Sequence, residues 1–194
     1  MMKRNGLICV SVAALVSLLG ACGGDATSAA DGKKAAERAR RPVAQSYWKI
    51  YRASGATGQV AFGRFTECTD RNAKNSSMYE IYAPIIEGDE KESDAEFLAS
   101  LKSKLSAAGW DLRSSGKKAY SSTVHGVTLV IVPLKGEAGQ GPRASLWTRS
   151  ECIPVGNAKK ELLHDYGSQS SDKYDPKDAS TSPVPTGFPD PDAP

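Results

Sequence analysis

Histidine is scarce in this sequence of 194 residues, which contains only two. His125 stands beside a glycine at the start of a predicted strand, and His164 precedes Asp165 in a segment that we expect to be loosely held. Neither is placed to act as a base beside a nucleophile and an orienting group. The sequence also lacks a metal-ligand set, a phosphate-binding loop and a nucleophile elbow. We therefore predict no catalytic residue, no metal and no cofactor.

Carboxylates are plentiful, so one enzyme class stays open. A glycoside hydrolase can work with two carboxylates, and a sequence does not show the distances between them. The acidic residues 87–92 resemble a calcium loop at first, but they lack the alternate-position ligands and the distal glutamate of an EF-hand. Negative charge ahead of a helix explains them better, because it complements the positive end of the helix dipole.

A concentrated basic face is missing as well. Residues 45–155 contain 14 Lys and Arg against 12 Asp and Glu, so the charges of this region nearly balance. Proteins that bind nucleic acid concentrate Lys and Arg on one surface. The sequence therefore predicts no nucleic-acid partner.

The apolar run near the start is too short to cross a membrane. It covers the 13 residues 7–19, whereas a spanning helix needs about 20. Lys3 and Arg4 precede the run and the small residues Gly20 and Ala21 follow it, which is the order of an export signal. We therefore predict that residues 1–21 are a signal peptide.

The residues Leu19-Gly20-Ala21-Cys22 resemble the lipobox of bacterial lipoproteins. The resemblance implies that Cys22 receives a diacylglyceryl thioether, that the signal is cut just before it, and that the protein is held on the extracytoplasmic face of the cell membrane. Two acyl chains give lasting attachment, whereas one binds only marginally. The alternative is an ordinary secreted protein that is cut after Ala21 and keeps Cys22 as a thiol.

Residues 22–41 have the composition of a flexible tether. Their first part is small and polar, as in a linker. Their second part carries a basic cluster that consists of Lys33, Lys34, Arg38, Arg40 and Arg41. Near an anionic leaflet each such charge can add about 1 kcal/mol of attachment. A solvated linker or frayed helix is the alternative interpretation of this cluster.

Cysteine is also scarce, with four residues in the chain. Cys9 is removed with the predicted signal and Cys22 is consumed by the lipid, which leaves Cys68 and Cys152. In the oxidising compartment that an exported chain enters, two remaining thiols usually pair. We predict a disulfide between them, which the chain-entropy model values at about 4.5 kcal/mol for so long a loop. A redox-active pair is the alternative, but no C-x-x-C spacing is present.

The best-specified element of the predicted domain is a helix over residues 94–108. Ser93 and Glu96 have the spacing of a capping box. Gly109 follows where a left-handed stop is needed, and Trp110 follows where the chain folds back onto the last turn. An apolar stripe lies between these ends and consists of Phe97, Leu98, Leu101, Leu105 and Ala108.

Two strands are predicted before this helix. Residues 59–68 alternate with period 2, and we assign Val60 and Phe62 to the buried side. Residues 77–86 form the second strand, in which Pro84 indicates an edge position or a bulge because proline cannot donate to a β-ladder.

After the helix, residues 127–132 and 143–153 read as an antiparallel hairpin whose first strand is central. Residues 42–53 fit either a helix with Pro42 in its first turn or an aromatic-rich strand. In both cases Trp48 is assigned to the core, and a role in ligand stacking is the weaker alternative.

These elements predict an α+β domain over residues 42–155. We expect a two-layer sandwich in which one main helix covers a sheet of four or five mostly antiparallel strands, closed by a disulfide. A short helix within residues 156–167 is predicted to follow, with a disordered, proline-rich tail over residues 168–194.

The order of Cys68, Ala108-Gly109-Trp110 and Cys152 resembles that in small uncharacterised actinobacterial lipoproteins, a group with no established activity to transfer. The sequence thus predicts a membrane-anchored extracytoplasmic lipoprotein with a small non-catalytic binding domain. Its expected partners are the membrane, through the lipid on Cys22, and an envelope protein or a small ligand. The alternatives are a cell-wall hydrolase with paired carboxylates and a purely structural spacer.

Overall fold

The computed structural model describes residues 28–56, 60–68, 73–115, 118–135, 141–165 and 172–175. The predicted signal peptide and Cys22 lie outside these ranges, as do residues 176–194 of the predicted tail. The elements in chain order are α1 (Ala29–Ser54), β1 (Ala61–Glu67), β2 (Ser76–Glu87), α2 (Asp94–Ala107), β3 (Arg113–Ser114), β4 (Tyr120–Val124), β5 (Val127–Leu134), β6 (Arg143–Ser150), β7 (Ile153–Pro154), a 3-10 turn (Gly156–Ala158), α3 (Lys159–Asp165) and β8 (Asp172–Tyr174).

The strands form one antiparallel sheet in the order β3-β4-β5-β6-β2-β1-β8, and β7 pairs with the start of β2. The predicted α+β class and antiparallel sheet are confirmed. The predicted count of four or five strands is wrong, since the described residues form eight strands. The strands β3, β7 and β8 have only two or three residues each, and so short a segment shows no period-2 pattern in the sequence.

The helices cover one face of this sheet. Helix α1 packs along β2 and β6 and against α2, and Lys102 of α2 places Nζ 4.1 Å from the centroid of the Tyr120 ring of β4. The core between helices and sheet contains the inward side chains of the central strands, among them Ile81, Leu129 and Ile131. In the part of the chain that the structure describes, no helix packs on the opposite face.

Helix α1 begins earlier than predicted. Ser28 caps it, with Oγ accepting a hydrogen bond from the Asp31 N–H at 3.1 Å. The prediction of a flexible tether is therefore wrong for residues 29–41, and the strand alternative for residues 42–53 is wrong as well. Pro42 lies inside the helix with an exposed side chain rather than in the first turn.

Tertiary packing explains this extension of α1. Gly32, Ala36 and Arg40 all lie on the buried side of the helix. A Cβ on Gly32 would lie 2.1 Å from the carbonyl oxygen of Val155, so the helix approaches the chain there more closely than any larger residue permits. Most helix stability in proteins comes from such packing, which here outweighs the cost of an interior proline.

The predicted helix over residues 94–108 is confirmed as α2. Ser93 and Glu96 form the capping box, with the Glu96 N–H donating to Ser93 Oγ at 3.3 Å and the Ser93 N–H donating to Glu96 Oε2 at 3.0 Å. Gly109 has a positive φ of 90°. The N–H of Trp110 donates to the carbonyl oxygen of Leu105 at 2.9 Å, which completes a Schellman motif.

The predicted Cys68–Cys152 disulfide is confirmed, and it joins the end of β1 to the segment between β6 and β7. The β5–β6 hairpin is confirmed too. Pro84 lies where the β2–β6 register shifts between Ala83 and Ile86. Strand β2 lies between β1 and β6, so the bulge interpretation of this proline is correct and the edge interpretation is wrong.

The ordered domain extends into the segment predicted to be a tail. The 3-10 turn and α3 lie within residues 156–167, whereas β8 lies within residues 168–194 and pairs with β1. The prediction of disorder is therefore wrong for residues 172–174. Tyr174 is 1% exposed and packs into the core. The proline-rich composition around it gives no indication of this burial.

Candidate binding face

The face of the sheet opposite the helices carries a row of large apolar side chains. Residues directly paired across antiparallel strands share a face, and the register pairs Phe62 with Tyr82, Tyr82 with Trp147, and Trp147 with Val130. Phe62 is 46% exposed and Tyr82 is 36% exposed, while Trp147 and Val130 are half-buried. We call this face the open face and these four residues the apolar row.

Contacts within the open face fix the orientation of its largest side chain. The rings of Tyr82 and Trp147 meet edge to face, with centroids 5.1 Å apart. The Trp147 indole N–H donates to Ser145 Oγ at 2.9 Å. Ser145 lies two residues earlier on the same strand and the same face, so the indole extends along β6. The Trp147 indole is therefore held in one orientation.

A second row of paired residues lies next to the apolar row. It runs from Arg64 through Glu80 and Arg149 to Thr128, and we call it the polar row. Nε and Nη2 of Arg64 each lie 2.9 Å from Glu80 Oε1. The side chain of Glu80 is 6% exposed, whereas that of Arg64 is 41% exposed. The carboxylate is thus covered by its partner, and the guanidinium still faces solvent.

The open face has more positive than negative side chains at its paired positions. Strand alternation and the register place five cations there, namely Arg64, Arg113, Arg143, Arg149 and Lys173, with the carboxylates Glu80 and Glu87. Lys173 and Arg113 lie at the two ends of the apolar row, because they pair with Phe62 and Ser121. The face therefore combines exposed aromatic rings with a positive charge.

The covered face holds a buried polar network instead. The Arg40 side chain is fully buried, with Nε 2.6 Å from Asp172 Oδ2 and Nη1 3.1 Å from Glu37 Oε2. The Tyr79 hydroxyl donates to Asp172 Oδ2 at 2.5 Å, and so accepts from the Tyr174 hydroxyl at 2.9 Å. These bonds join α1, β2 and β8, so the network holds the two ends of the described chain together.

The surroundings of this network shift the pKa values of its members. Burial raises the pKa of Tyr79 well above its ordinary value, and the neighbouring Tyr174 and Asp172 add to the shift. Burial also raises the pKa of Tyr174. Burial alone would lower the pKa of Arg40, but the attraction of Asp172 and the nearby tyrosines outweighs it, so the pKa is raised. The guanidinium therefore stays charged and the tyrosines stay protonated at neutral pH.

A small cavity of about 110 Å³ lies beside this network, between α1 and α3. Seven residues line it, namely Lys33, Ala36, Glu37, Phe65, Glu161, Leu162 and Asp165. The ion pair between Lys33 and Glu161 joins the two helices there. Sites for small organic ligands are usually about 300–1,000 Å³, so this cavity is too small for such a ligand.

The residues singled out in the sequence do not meet at one site. Cys22 lies outside the described residues, and Cys68 is bonded to Cys152. His125 occupies the two-residue turn between β4 and β5 with a positive φ of 48°, and His164 is exposed. Within the ranges that the structure describes, no group of three or more His, Cys, Asp and Glu side chains could hold a metal ion.

The sequence pattern does not reveal the open face, because it places the wrong side of β1 in the core. The inward residues of β1 are Ala61, Gly63 and Phe65, so Phe62 points outward. A Cβ on Gly63 would lie 2.0 Å from the Tyr79 hydroxyl oxygen, which explains why the inward position has no side chain. Because Gly63 at the centre of the buried side has no side chain, the large apolar residue Phe62 beside it makes the exposed side look like the buried one.

Trp48 is 2% exposed and belongs to the core, as assigned from the sequence. Among the residues that the structure covers, no helix combines the length and the apolar composition that crossing a membrane would need. No family model, curated protein or solved structure matches this chain. Its function is therefore inferred from its own residues.

Proposed function

We propose that this protein is a lipid-anchored extracytoplasmic binding protein whose open face is the binding surface. The export-signal pattern of residues 1–21 and the lipobox resemblance at Cys22 support the location. Helix α1 begins at Ala29. The seven residues from Cys22 to Ala29 span at most about 25 Å even when fully extended, so an anchor at Cys22 keeps the domain close to the lipid surface.

The exposed apolar row is the observation that supports a binding role. Single exposed apolar side chains are common on protein surfaces, but contiguous ones mark interaction sites. Phe62, Tyr82 and Trp147 are contiguous across three strands. Aromatic residues and arginine are also the types most enriched where binding energy is concentrated, and Arg64 and Arg149 lie in the adjacent polar row.

The alternative of a paired-carboxylate hydrolase has weaker support. Such an enzyme places two carboxylates on either side of a bond in an accessible cleft. Glu37 and Asp172 are the carboxylates of the buried network, and Arg40 donates hydrogen bonds to both. Each of these side chains is only 9% exposed, whereas such an enzyme needs carboxylates that a substrate can reach. This burial supports the proposal of a binding surface over a hydrolase that uses this pair.

Photo-crosslinking in the native envelope tests the binding face. A photoreactive amino acid at Phe62 is compared with the same amino acid at Lys49, which is exposed on α1 away from the sheet. We expect a discrete crosslinked product from position 62 and none from position 49, with loss of the product when Trp147→Ala is added. Equal crosslinking from both positions would contradict a specific binding face.

Fractionation tests the anchor separately. Cys22→Ser removes the thiol that the lipid requires, so we expect the protein to move from the membrane fraction to the extracytoplasmic soluble fraction. Lys34→Ala, which changes one exposed member of the basic cluster on α1, is the control and should stay with the membrane. Membrane retention of Cys22→Ser would show that the lipid is not what holds the protein.

A further inference from the structure

We infer that the open face binds an extended acidic saccharide, a chain of sugar rings that carry carboxylates. This inference rests on the proposed binding function and adds the chemistry of the ligand. The apolar row places Phe62, Tyr82 and Trp147 on three adjacent strands. Neighbouring strands lie about 4.8 Å apart, so the three aromatic side chains span about 10 Å. Such regular spacing suits a ligand made of repeating units.

Stacking explains why sugar rings fit this row. The face of an aromatic ring is electron-rich and attracts groups that carry partial positive charge. A pyranose ring presents polarised C–H bonds on its flat side, while its hydroxyls point outward from the rim and stay solvated. A sugar ring can therefore cover an aromatic side chain without burying an unpaired polar group. The hydrogen bond from Trp147 to Ser145 holds the indole in place before binding, which lowers the entropy lost on association.

The flanking cations explain the preference for an acidic chain. Two residues along a strand correspond to about 7 Å, which separates the polar row from the apolar row. Arg64 remains 41% exposed in its side chain while it contacts Glu80, and Arg149 lies on the other side of that carboxylate. Arginine binds carboxylates through paired, charge-assisted hydrogen bonds. A uronate chain on the apolar row would bring its carboxylates within reach of these guanidinium groups and of Lys173 at the end of the row.

The same charges make other occupants less suitable. A second copy of this face would bring cations against cations, and a neutral glycan would cover the arginines without any counter-charge. Proteins that bind nucleic acid concentrate Lys and Arg in a patch or stripe, whereas Glu80 and Glu87 lie among the cations here. The small cavity beside Glu37 lies on the covered side, so it offers no pocket for a compact ligand at the open face.

Calorimetric titration of the purified full chain with four probes tests this inference. Oligogalacturonate supplies rings with carboxylates, cello-oligosaccharide supplies neutral rings, polyglutamate supplies carboxylates without sugar rings, and a single-stranded oligonucleotide supplies phosphates and bases. We expect oligogalacturonate to bind more tightly than each of the other three. Tighter or equal binding of any other probe, or no binding of oligogalacturonate, would overturn the inference.

Variants of the two rows provide the second arm of the titration. Trp147→Ala is expected to weaken oligogalacturonate binding by at least about tenfold. Arg149→Gln is expected to weaken it by about tenfold, and the affinity of this variant should depend less on salt concentration. Lys49→Ala, on the outer side of α1, is expected to bind like the unmodified chain. Thermal unfolding confirms that each variant is folded. Undiminished binding by folded Trp147→Ala would also overturn the inference.

The two proposals fail in distinguishable ways. Should position 62 crosslink in the envelope while oligogalacturonate does not bind, the ligand class is wrong and the binding face stands. Should neither occur, both are wrong. Sedimentation provides a further check, because a concentration-dependent dimer that disappears in Trp147→Ala would make a second copy the occupant and overturn the saccharide.

Discussion

The two faces of the sheet are filled in opposite ways. On the covered face even charged groups are buried, and Arg40 is held by Asp172 and Glu37 under helix α1. On the open face even large apolar groups are exposed, as Phe62 and Tyr82 show. Burial of a charge is tolerated where the fold supplies opposite charges beside it. Exposure of aromatic rings is tolerated where something outside the fold can cover them. The contrast separates the part of the chain that maintains the structure from the part available for function.

The largest effect is expected from breaking the buried network of the covered face. Arg40→Ala leaves the carboxylates of Asp172 and Glu37 without the cation that they share, and removing one partner of a buried ion pair costs about 3–5 kcal/mol. We expect urea denaturation to show an unfolding free energy lowered by about that amount. Arg38→Ala, two residues away and exposed, is the control and should change it by less than about 0.5 kcal/mol. Similar values for both would mean that the network adds little stability.

A matched pair of neighbours on β5 compares the faces directly. Leu129 is fully buried on the covered face, and Val130 is half-buried in the apolar row. Leu129→Ala is expected to lower the unfolding free energy by about 2–5 kcal/mol, because it leaves a cavity in the core. Val130→Ala should cost less than about 1 kcal/mol, since little apolar area is lost. An equal cost at both positions would mean that the open face is packed like a core.

The raised pKa values on the covered face predict that the free energy of unfolding decreases at alkaline pH. As pH rises past about 10, the tyrosines of the unfolded chain lose their protons first. The stabilisation from Tyr79 and Tyr174, whose pKa values burial raises in the folded state, is thus complete below pH 10 and lost as pH rises through the folded pKa values.

Denaturation curves between pH 9 and 11 measure this loss. Tyr79→Phe is expected to reduce the slope of the unfolding free energy against pH, because one of the buried tyrosines with a raised pKa is gone. The others among the described residues are Tyr47 and Tyr174. Val130→Ala, on the open face, removes no titrating group and should keep the slope of the unmodified chain. An unchanged slope in Tyr79→Phe would show that Tyr79 does not cause the loss of stability at alkaline pH.

A small effect on stability is expected where the effect on binding is largest. Trp147→Ala should lower the unfolding free energy by about 1 kcal/mol. The indole is half-buried, and the hydrogen bond described for it is to Ser145 on its own strand. Collisional quenching checks the exposure on which this depends. Trp48 and Trp110 are 2% and 4% exposed, so most of the quenching by iodide should disappear in Trp147→Phe. Persistent quenching would place the indole elsewhere.

An element can be predicted from the sequence when the residues that determine it lie close together in the chain. Helix α2 could be predicted because its cap, its apolar stripe and its Gly109 stop all lie within residues 93–110. The first part of α1 could not, because the burial of Arg40 depends on Asp172, which is 132 residues away. Strand β8 cannot be predicted locally for the same reason, since its three residues are ordered by partners on α1, β1 and β2.

The open face shows how much of a site the sequence can reveal. Trp147 and Arg149 share one parity along β6, which the sequence shows. The sequence does not show that Phe62 and Tyr82 align with Trp147, because that depends on the register of three strands from distant parts of the chain. The sequence shows that these residues are aromatic, but it does not show that they are exposed on the same face. A surface assembled from several strands is therefore the feature that local patterns predict least well.

Thiol labelling in the envelope tests the central claim, that the open face is covered by a ligand and not by the fold. Phe62→Cys and Lys49→Cys are each treated with a water-soluble maleimide, once in purified protein and once in intact envelopes. The proposal predicts that both thiols react in purified protein, and that the envelope protects position 62 but not position 49. Equal reaction of the two thiols in the envelope would contradict it.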